Sequence, residues 1–495
     1  MKFAAKGSSA RPQGRDSHGV RFLMHTKAIL VAMCLLVTAA TAVFASPVAQ
    51  GKTLINDQLT EETGPTSILG GGDHVFVRFN PDAAFGVVYG TTANPNNVYL
   101  VAIKARYLGV AQVVDPQNRS VSQNRPIKIY TLYAVKLDSI VEFRDRNANS
   151  VADYGRLYNS TTSRFSDYFN RIDTLYKKVD LHTNWTAGTI VRSSGPDYRS
   201  WTFNLTAGNL SYTAIANSSA NTALPTPMVR FTFHLNASLE QIDNATVPQL
   251  RVTVDTVGGR TVVTNVSRMA DLVVSGKAVH YDVKWDQLIG GWSYAIGNGN
   301  LNQRRLLLEL GAIVGNLIPA AIVDAWFDAR AMGRIGETGS ASFNTSTGTV
   351  RANDTTPFPT VRRLQSPLVD FGGNWTRIAR LVWVSDSVVD GATYPVFGQI
   401  VAGVRFAAIG ESGNAFVGFA LLAGLSFRGG ASIAHDPTVT ADVQADLVLP
   451  GSATPGSLVF ALVGGVAVVA VILLILVLVT RRRKRQTLPP PPPET

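Results

Sequence analysis

An uninterrupted apolar segment near the C-terminus limits the folds open to this chain more than any other feature. Leu458–Val479 is 22 residues long and contains no charged side chain. A helix of about 20 apolar residues crosses a hydrocarbon core of roughly 30 Å. The five basic residues of Arg481–Arg485 follow almost at once, and such clusters stay on the cytoplasmic side. The sequence therefore predicts a single transmembrane helix, with a basic, proline-rich tail (480–495) inside and the preceding chain outside the cell.

A second apolar segment, at the N-terminus, has the pattern of a secretory signal. Arg21 and Lys27 precede the uncharged run Ala28–Ala45, which ends in the small-residue pattern Val-Phe-Ala. A basic region, an apolar core and small residues before a cleavage point define a signal peptide in that order. We expect residues 1–45 to be removed before Ser46. The alternative is an uncleaved signal anchor, because the basic leader is long.

The positive charge of the chain is concentrated at its two ends. The formal net charge is +11, but residues 1–45 hold six basic and one acidic residue, and residues 481–495 hold five and one. The part between them carries 34 basic and 32 acidic residues. A nearly neutral ectodomain lacks the basic footprint that nucleic acids require, so no nucleic-acid partner is expected.

Cysteine usage limits how the ectodomain is stabilised. The chain has one cysteine, Cys34, which lies inside the predicted signal. The mature chain therefore contains no disulfide, and it must rely on its core. A chain of this length buries enough apolar surface for that.

Asparagine sequons are the most abundant motif in the predicted ectodomain. A glycan requires a solvent-facing asparagine in the pattern Asn-x-Ser/Thr, with x not proline. The twelve sites are Asn118, Asn159, Asn184, Asn204, Asn209, Asn217, Asn236, Asn244, Asn265, Asn344, Asn353 and Asn374. The sequence predicts an N-glycosylated surface protein; the alternative is a bias of β-structure towards Ser and Thr.

Most of the predicted ectodomain is expected to form short β-strands. Runs rich in Val, Ile, Thr, Tyr and Phe are separated by Gly, Pro, Asn and Asp, which is typical of a β-sandwich. Val229, Phe231, Phe233 and Leu235 alternate with polar residues, so Asn236 is expected on the polar face. Around Gly258-Gly259, two alternating runs predict a hairpin with a tight turn.

One segment, Leu301–Arg330, breaks the strand pattern. Its polar residues are spaced as on one side of a helix, and Pro319 would kink that helix. The polar positions are Arg305, Glu309, Asn316, Asp324 and Asp328. We expect a buried helical segment packed between β-layers. A second membrane span is disfavoured, because it would place sequons in the cytoplasm or the basic cluster outside.

The predicted fold is mainly β: a sandwich-like ectodomain of one or two β domains, one buried helix and one C-terminal transmembrane helix. The predicted segments run in order along the chain. They are a signal peptide (1–45), a polar lead-in (46–68), a β-rich part (69–300), a helical segment (301–335), a second β-rich part (336–440), a juxtamembrane linker (441–457), the transmembrane helix (458–479) and the tail (480–495).

An Asx-rich loop is the most specific candidate for ligand chemistry. The segment 145–153 offers side-chain oxygens at its first, third, fifth and ninth positions and a backbone carbonyl at the seventh, the oxygens that Ca²⁺ prefers. The predicted ligands are Asp145, Asn147, Asn149, Val151 and Asp153. The loop resembles the calcium loops of EF-hands and dockerins. It departs from them at Ser150, where they have glycine, and at Arg156, where a bidentate Glu is expected. These departures predict a weak structural Ca²⁺ site, and the alternative is a polar turn.

Catalytic patterns are sparse in this chain. The five histidines of the mature chain are scattered, with no metal-binding spacing. The sequence favours a structural or binding protein over an enzyme without deciding between them; the protein is expected to be held in the membrane by one helix and to face an unidentified extracellular ligand or envelope component. Two alternatives stay open: a membrane-tethered extracellular hydrolase whose site is assembled from distant residues, and a membrane-remodelling protein that exposes the apolar segment 306–327.

Overall fold

The computed structural model describes most of the predicted ectodomain. The described residues are 53–54, 59–79, 83–115, 120–121, 125–159, 164–196, 198–215, 218–247, 249–257, 260–295, 303–319, 341–345, 348–351, 362–364, 368–371, 379–409 and 414–448.

Nearly all regular structure in these residues is β-strand. One short 3₁₀ helix spans Ile68–Gly70. The strands of the first half are β1 (Thr53–Leu54), β2 (Leu59–Thr66), β3 (Gly72–Phe79), β4 (Ala83–Tyr89), β5 (Val98–Asp115), β6 (Ser120–Val121), β7 (Arg125–Arg144), β8 (Tyr154–Asn159), β9 (Arg164–Asn170), β10 (Thr174–Asp180), β11 (Thr186–Ala187), β12 (Val191–Ser194), β13 (Tyr198–Ala207), β14 (Tyr212–Ala214) and β15 (Met228–Val247). Those of the second half are β16 (Gln249–Val257), β17 (Arg260–Arg268), β18 (Leu272–Gly290), β19 (Arg304–Pro319), β20 (Ala341–Thr345), β21 (Gly348–Arg351), β22 (Arg362–Arg363), β23 (Leu368–Phe371), β24 (Ala379–Trp383), β25 (Asp386–Val389), β26 (Ala392–Pro395), β27 (Phe397–Ile409), β28 (Asn414–Arg428), β29 (Ser432–His435) and β30 (Pro437–Val448).

These strands form two large sheets and one separate hairpin. Sheet one has the order β1-β2-β3-β4-β5-β7-β19-β28-β27-β22, and β6, β10, β14, β16 and β17 attach beside that path. Sheet two has the order β11-β13-β15-β18-β30-β24-β23-β20-β21, with β12, β25, β26 and β29 attached. Pairing is antiparallel except between β16 and β5. The separate hairpin is β8–β9. The expectation of a mainly β ectodomain is confirmed for the described residues.

The main core lies between the two sheets, because one hydrophobic cluster contains buried side chains from both. Phe85 of β4 stacks on Tyr281 of β18, with ring centroids 4.6 Å apart. A polar contact also joins the sheets. Buried Glu61 of β2 accepts two hydrogen bonds of 2.6 Å from Arg192 of β12, and one of 3.1 Å from the indole of Trp201. This layering is consistent with a β-sandwich.

Two local predictions are confirmed by the strand pairing. Four residues of β15 are buried in the main core: Val229, Phe231, Phe233 and Leu235. Asn236 of the same strand is half-buried on the opposite face. The predicted hairpin is the pair β16–β17, which brings Val257 opposite Arg260. The first result follows from the period-2 alternation of a strand with one buried face. The second follows from the two-glycine turn signal between the strands.

A second, smaller core covers the outer face of sheet one. It contains Val141 and Phe143 of β7, Leu307 of β19, and Tyr154 and Tyr168 of the hairpin β8–β9. The segment 145–153 connects β7 to this hairpin. Side chains on both faces of the central strands of sheet one are therefore buried in this region.

The helix predicted at 301–330 is wrong over its described part, where Arg304–Pro319 forms strand β19. This strand lies between β7 and β28 in sheet one. Leu306 and Leu308 face the main core, whereas Leu307 faces the second core. A strand that is buried on both faces shows no polar alternation, so its apolar run resembles a buried helix in sequence.

Glu309 is one of the polar residues whose spacing predicted a helix here. Its side chain is fully buried under the hairpin β8–β9. The carboxylate accepts hydrogen bonds from Ser139 Oγ (2.6 Å), from the hydroxyl of Tyr154 (2.5 Å) and from the hydroxyl of Tyr168. A buried carboxylate needs such donors, whereas a carboxylate that faces solvent can hydrogen-bond to water instead.

The predicted segment boundaries do not coincide with breaks in the sheets. Strands from 69–300 and from 336–440 lie side by side, as β28 beside β19 and β30 beside β18. The expected lead-in (46–68) contains β2, and the expected linker (441–457) contains the end of β30. Both segments therefore contain strand residues of the two sheets.

In the described part of the chain, no helix is both long enough and apolar enough to cross a membrane. The predicted signal peptide (1–45), transmembrane helix (458–479) and tail (480–495) lie outside the described residues.

Candidate functional site

The outer face of sheet two carries an ordered array of polar side chains. The core-facing residues of β15 alternate with outward-facing ones, as strand geometry requires. The pairing of β13, β15 and β18 aligns the outward residues in rows across the strands. Three adjacent rows are Thr202, His234, Lys284; then Ser200, Asn236, Asp282; then Tyr198, Ser238, His280.

A chain of hydrogen bonds and ion pairs crosses this face. Thr202 Oγ1 lies 3.1 Å from His234 Nδ1, and His234 Nε2 lies 2.9 Å from Asp286 Oδ2. The ammonium of Lys284 bridges Asp286 (3.2 Å) and Asp436 (3.1 Å). Partial burial opposes the change, but the hydrogen bonds from His234 and Lys284 lower the pKa of Asp286. This carboxylate is therefore ionised and paired at neutral pH.

The Thr202–His234–Asp286 arrangement has the residue types of a nucleophile, a base and an orienting acid. Acyl transfer also requires free donors beside the nucleophile that stabilise an oxyanion. Thr202 lies in the middle of β13, opposite Val191 of β12 on one side and His234 on the other. Its backbone is thus part of two strand ladders. The arrangement favours a cross-strand structural network over a hydrolase site.

A hollow of about 270 Å³ lies beside this network on the same face. It forms because small Ser238 stands between the larger side chains of Tyr198 and His280 in one row. Asn236 and Asp282 also line it, and the Asn236 amide donates a 2.6 Å hydrogen bond to Asp282 Oδ2. Partial burial raises the pKa of Asp282, although the bond from Asn236 opposes that change.

Of the five histidines in the described residues, two lie on the polar face, two pack against aromatic rings and one lies in a loop. His234 and His280 belong to the polar face, where His280 Nε2 lies 2.9 Å from Glu240 Oε2. His74 and His435 pack against aromatic rings, Phe76 and Phe427 respectively. Burial lowers the pKa of His74 to about 4 and also lowers the pKa of His435. His182 is exposed in the loop after β10.

The lowered pKa of His74 predicts a loss of stability in acid. Its folded-state pKa of about 4 lies below the unfolded value of 6.5, so its contribution is fully present above pH 6.5 and is lost as the pH falls towards 4. We expect protonation of this half-buried ring to lower the free energy of unfolding in acid by roughly 2 kcal/mol, after allowance for solvent screening. Urea unfolding of wild type and of His74→Gln, at pH 7.5 and at pH 4.5, measures this change. The stability difference between the two proteins should shift by that amount, and a pH-independent difference would contradict the assignment.

The Asx-rich loop is held closed by its own hydrogen bonds. Asp145 Oδ1 and Oδ2 accept from the backbone N–H groups of Asn149 (3.1 Å) and Ser150 (2.9 Å). The side-chain amides of Asn147 and Asn149 each donate to Asp153 Oδ2 at 2.7 Å. Ser150 adopts φ 70°, a left-handed conformation that favours the glycine found there in calcium loops. The loop therefore has the backbone turn of a calcium loop, closed by protein donors.

Three residues that sequence reasoning missed hold this loop in place. Arg305 Nε donates to Asp145 Oδ2 at 3.0 Å, and the same guanidinium donates to Ser150 Oγ. Buried Gln399 of β27 bonds both the N–H and the C=O of Ala152. Asp173 accepts from the N–H groups of Arg146 and Asp153, each at 2.8 Å. They are distant in sequence, so no local pattern indicates them.

The residues around this loop do not fit a cation as they are arranged. Arg305 already places a positive charge against Asp145, and both asparagine amides present N–H groups to Asp153. Burial raises the pKa of Asp173 to about 6, and the negative charges of Asp145 and Asp153 act in the same direction. Two backbone hydrogen bonds oppose this change. Within the described residues, no group of three or more His, Cys, Asp or Glu could hold a metal ion. Calcium binding at Asp145, Asn147, Asn149, Val151 and Asp153 stays a prediction.

The sequon asparagines whose surroundings are described lie at the surface. Asn236 is half-buried, and five others are exposed: Asn184, Asn204, Asn209, Asn244 and Asn265. Asn159 and Asn344 lie on β8 and β20. The remaining four, Asn118, Asn217, Asn353 and Asn374, lie outside the described residues.

No protein-family model matches the chain, and no curated protein matches its sequence.

Proposed function

We propose that this chain is a structural or binding protein of the cell envelope, N-glycosylated on its outer part and anchored by one transmembrane helix at 458–479. The ectodomain is extracellular and the basic tail is cytoplasmic. The partner is an extracellular ligand or another envelope component. In this proposal, the ectodomain is a β-sandwich in which sheets one and two form the layers.

The placement of the sequons is the observation that carries the proposal. Glycans need asparagines that face solvent. Asn204 and Asn236 alternate with core residues of β13 and β15, so a single shift of register would bury them. Asn209 and Asn244 adopt left-handed backbone conformations, with φ 57° and 60°, as at turns and irregular positions. Sequons on outward strand positions and at such irregular positions support an ectodomain that carries glycans.

Two alternatives receive less support from the described residues. A membrane-remodelling protein would expose the apolar segment 306–327, yet Leu306, Leu308 and Leu310 are at most 1% exposed. A hydrolase would need a cleft with catalytic groups. The Thr202–His234–Asp286 arrangement lies instead on the face of a sheet.

Glycosylation and anchoring can be tested together on protein from its native membrane. We expect migration well above the calculated 53.0 kDa and a drop after chemical deglycosylation. Alkaline carbonate should leave the protein in the membrane pellet. Mass spectrometry should find glycans on the exposed sequons Asn184, Asn204, Asn209, Asn244 and Asn265.

Each half of the proposal can fail separately in this experiment. Unchanged mobility together with unmodified sequon peptides would contradict the glycoprotein. Release by carbonate would contradict the anchor. Protein made in a host without a glycosylation pathway serves as the unmodified mobility standard.

A further inference from the structure

The hollow on the outer face of sheet two contains a sequon asparagine, Asn236. Its lining includes an aromatic ring, an amide, a hydroxyl, an imidazole and a carboxylate, from Tyr198, Asn236, Ser238, His280 and Asp282; Ala237 and Tyr281 complete it. At about 270 Å³ it lies just below the size range of pockets for drug-sized ligands. Its volume therefore suits one ring-sized polar ligand.

The amide of Asn236 can carry a glycan without losing its structural contact. A side-chain amide has two N–H hydrogens. One of them donates to Asp282 Oδ2 at 2.6 Å. N-glycosylation replaces one hydrogen on this nitrogen, so the bond to Asp282 and a glycosidic bond can coexist. A sugar attached here starts inside the hollow.

Tyr198 provides an aromatic surface whose position is fixed. It is 48% exposed and lines the hollow. The ring lies against Gly195, where an added Cβ would come 2.3 Å from Tyr198 Cε1. The backbone also closes at this point, because Gly195 N–H donates to the carbonyl of Tyr198 at 3.0 Å. An aromatic ring held in this way is pre-organised for a flat ligand.

We propose that this hollow seats the first sugar of the glycan on Asn236, with its apolar ring face against Tyr198 and its hydroxyl groups towards His280 and Asp282. The inference rests on the proposed glycosylation and adds a defined place for one glycan. Covalent attachment supplies the sugar at high effective concentration, so weak contacts suffice to hold it. A seated sugar covers the outer face of sheet two beside Thr202 and His234.

A double-mutant cycle in the native host tests the contact. Ser238→Ala removes the sequon but keeps Asn236, whereas Ser238→Thr keeps the sequon and controls for the change at position 238. Tyr198→Ala removes the ring in both backgrounds. We expect Tyr198→Ala to lower the Tm by several degrees more in the Ser238→Thr protein than in the Ser238→Ala protein. Gly195→Ala, which displaces the ring, should reproduce this difference.

The outcomes separate this inference from the proposed glycosylation. An unmodified Asn236 peptide beside modified Asn204 and Asn265 peptides would overturn the seated sugar and leave the glycoprotein standing. Equal effects of Tyr198→Ala in both backgrounds, with Asn236 modified, would also overturn it. A free sugar is the other source of the same chemistry. If N-acetylglucosamine or glucose raises the Tm of the Ser238→Ala protein through Tyr198, the hollow binds free saccharide and the assignment to the Asn236 glycan fails.

Discussion

Replacing Lys177 with methionine should lower the free energy of unfolding by about 3 kcal/mol, near the lower end for breaking a buried ion pair. Lys177 and Glu142 are both fully buried, and Lys177 Nζ lies 3.8 Å from Glu142 Oε2. The ammonium also donates to the carbonyl of Ser293 and lies 3.6 Å from the ring centroid of Tyr212. Burial lowers the pKa of Lys177, although Glu142 opposes that change. Without this cation, the Glu142 carboxylate stays buried and loses its charge partner.

Lys178 is the matched control for this substitution. It is the next residue of β10, but its side chain is 20% exposed, against 0% for Lys177, and it pairs with the more exposed Asp180. Surface pairs contribute about 0–1 kcal/mol, so Lys178→Met should change stability little. Urea unfolding of the two variants gives the comparison, and equal effects would contradict the assigned role of the pair.

A charge-neutral double variant refines the same test. Glu142 also accepts hydrogen bonds from the Trp292 indole (3.2 Å) and from the Ala295 N–H (3.0 Å). Glu142→Gln keeps an acceptor for these donors and removes the charge. In the Lys177→Met background it should therefore recover part of the lost stability. A further loss instead would show that Lys177 acts through packing and not through charge.

Sequence reasoning succeeded where a strand has one buried face. In β15, Phe231 and Phe233 alternate with Thr232 and His234, and this period alone assigned the core face and the polar face. The hairpin β16–β17 was predictable for a related reason, because its turn is local. These features depend on neighbouring residues, which a sequence displays directly.

Contacts between distant strands could not be predicted in this way. The register that sets His234 opposite Lys284 joins β15 and β18 across many intervening residues. Arg305 reaches Asp145 over a separation of 160 residues, and Gln399 reaches Ala152 over 247. The polar face and the contacts of Arg305 and Gln399 with the Asx-rich loop depend on such pairings. These pairings are set by tertiary packing, and no local sequence pattern indicates them.

Strand β19 shows the same limit for secondary structure. Between Leu306 and Leu310 this strand is buried on both faces, so the period that separates a strand from a helix is absent there. Glu309 added a misleading polar position. Its partners, the hydroxyls of Ser139, Tyr154 and Tyr168, come from other strands.

The second large effect concerns Asp145, which sequence reasoning assigned as a calcium ligand. The structure gives this carboxylate a further role, in holding the loop closed. Asp145 is only 2% exposed and accepts hydrogen bonds from Asn149 N–H, Ser150 N–H and Arg305 Nε. Asp145→Ala removes the acceptor of the Ser150 N–H and of Arg305 Nε, and one of the two acceptors of the Asn149 N–H. We expect a loss of about 2–4 kcal/mol even in the presence of a chelator.

Asn147→Ala is the variant that separates calcium binding from this structural role. Asn147 is exposed, and its described bonds are to Asp153 and to Asn149 N–H, so its removal should cost less than about 1 kcal/mol. If Ca²⁺ binds with a Kd of about 10⁻⁴–10⁻³ M, millimolar Ca²⁺ raises the Tm of wild type, and Asn147→Ala weakens that rise. If Ca²⁺ changes neither protein, Arg305 is the cation that the Asp145 carboxylate requires, and the loop is a hydrogen-bonded turn. Equal stability of Asp145→Ala and Asn147→Ala in chelator would contradict the role assigned to Asp145.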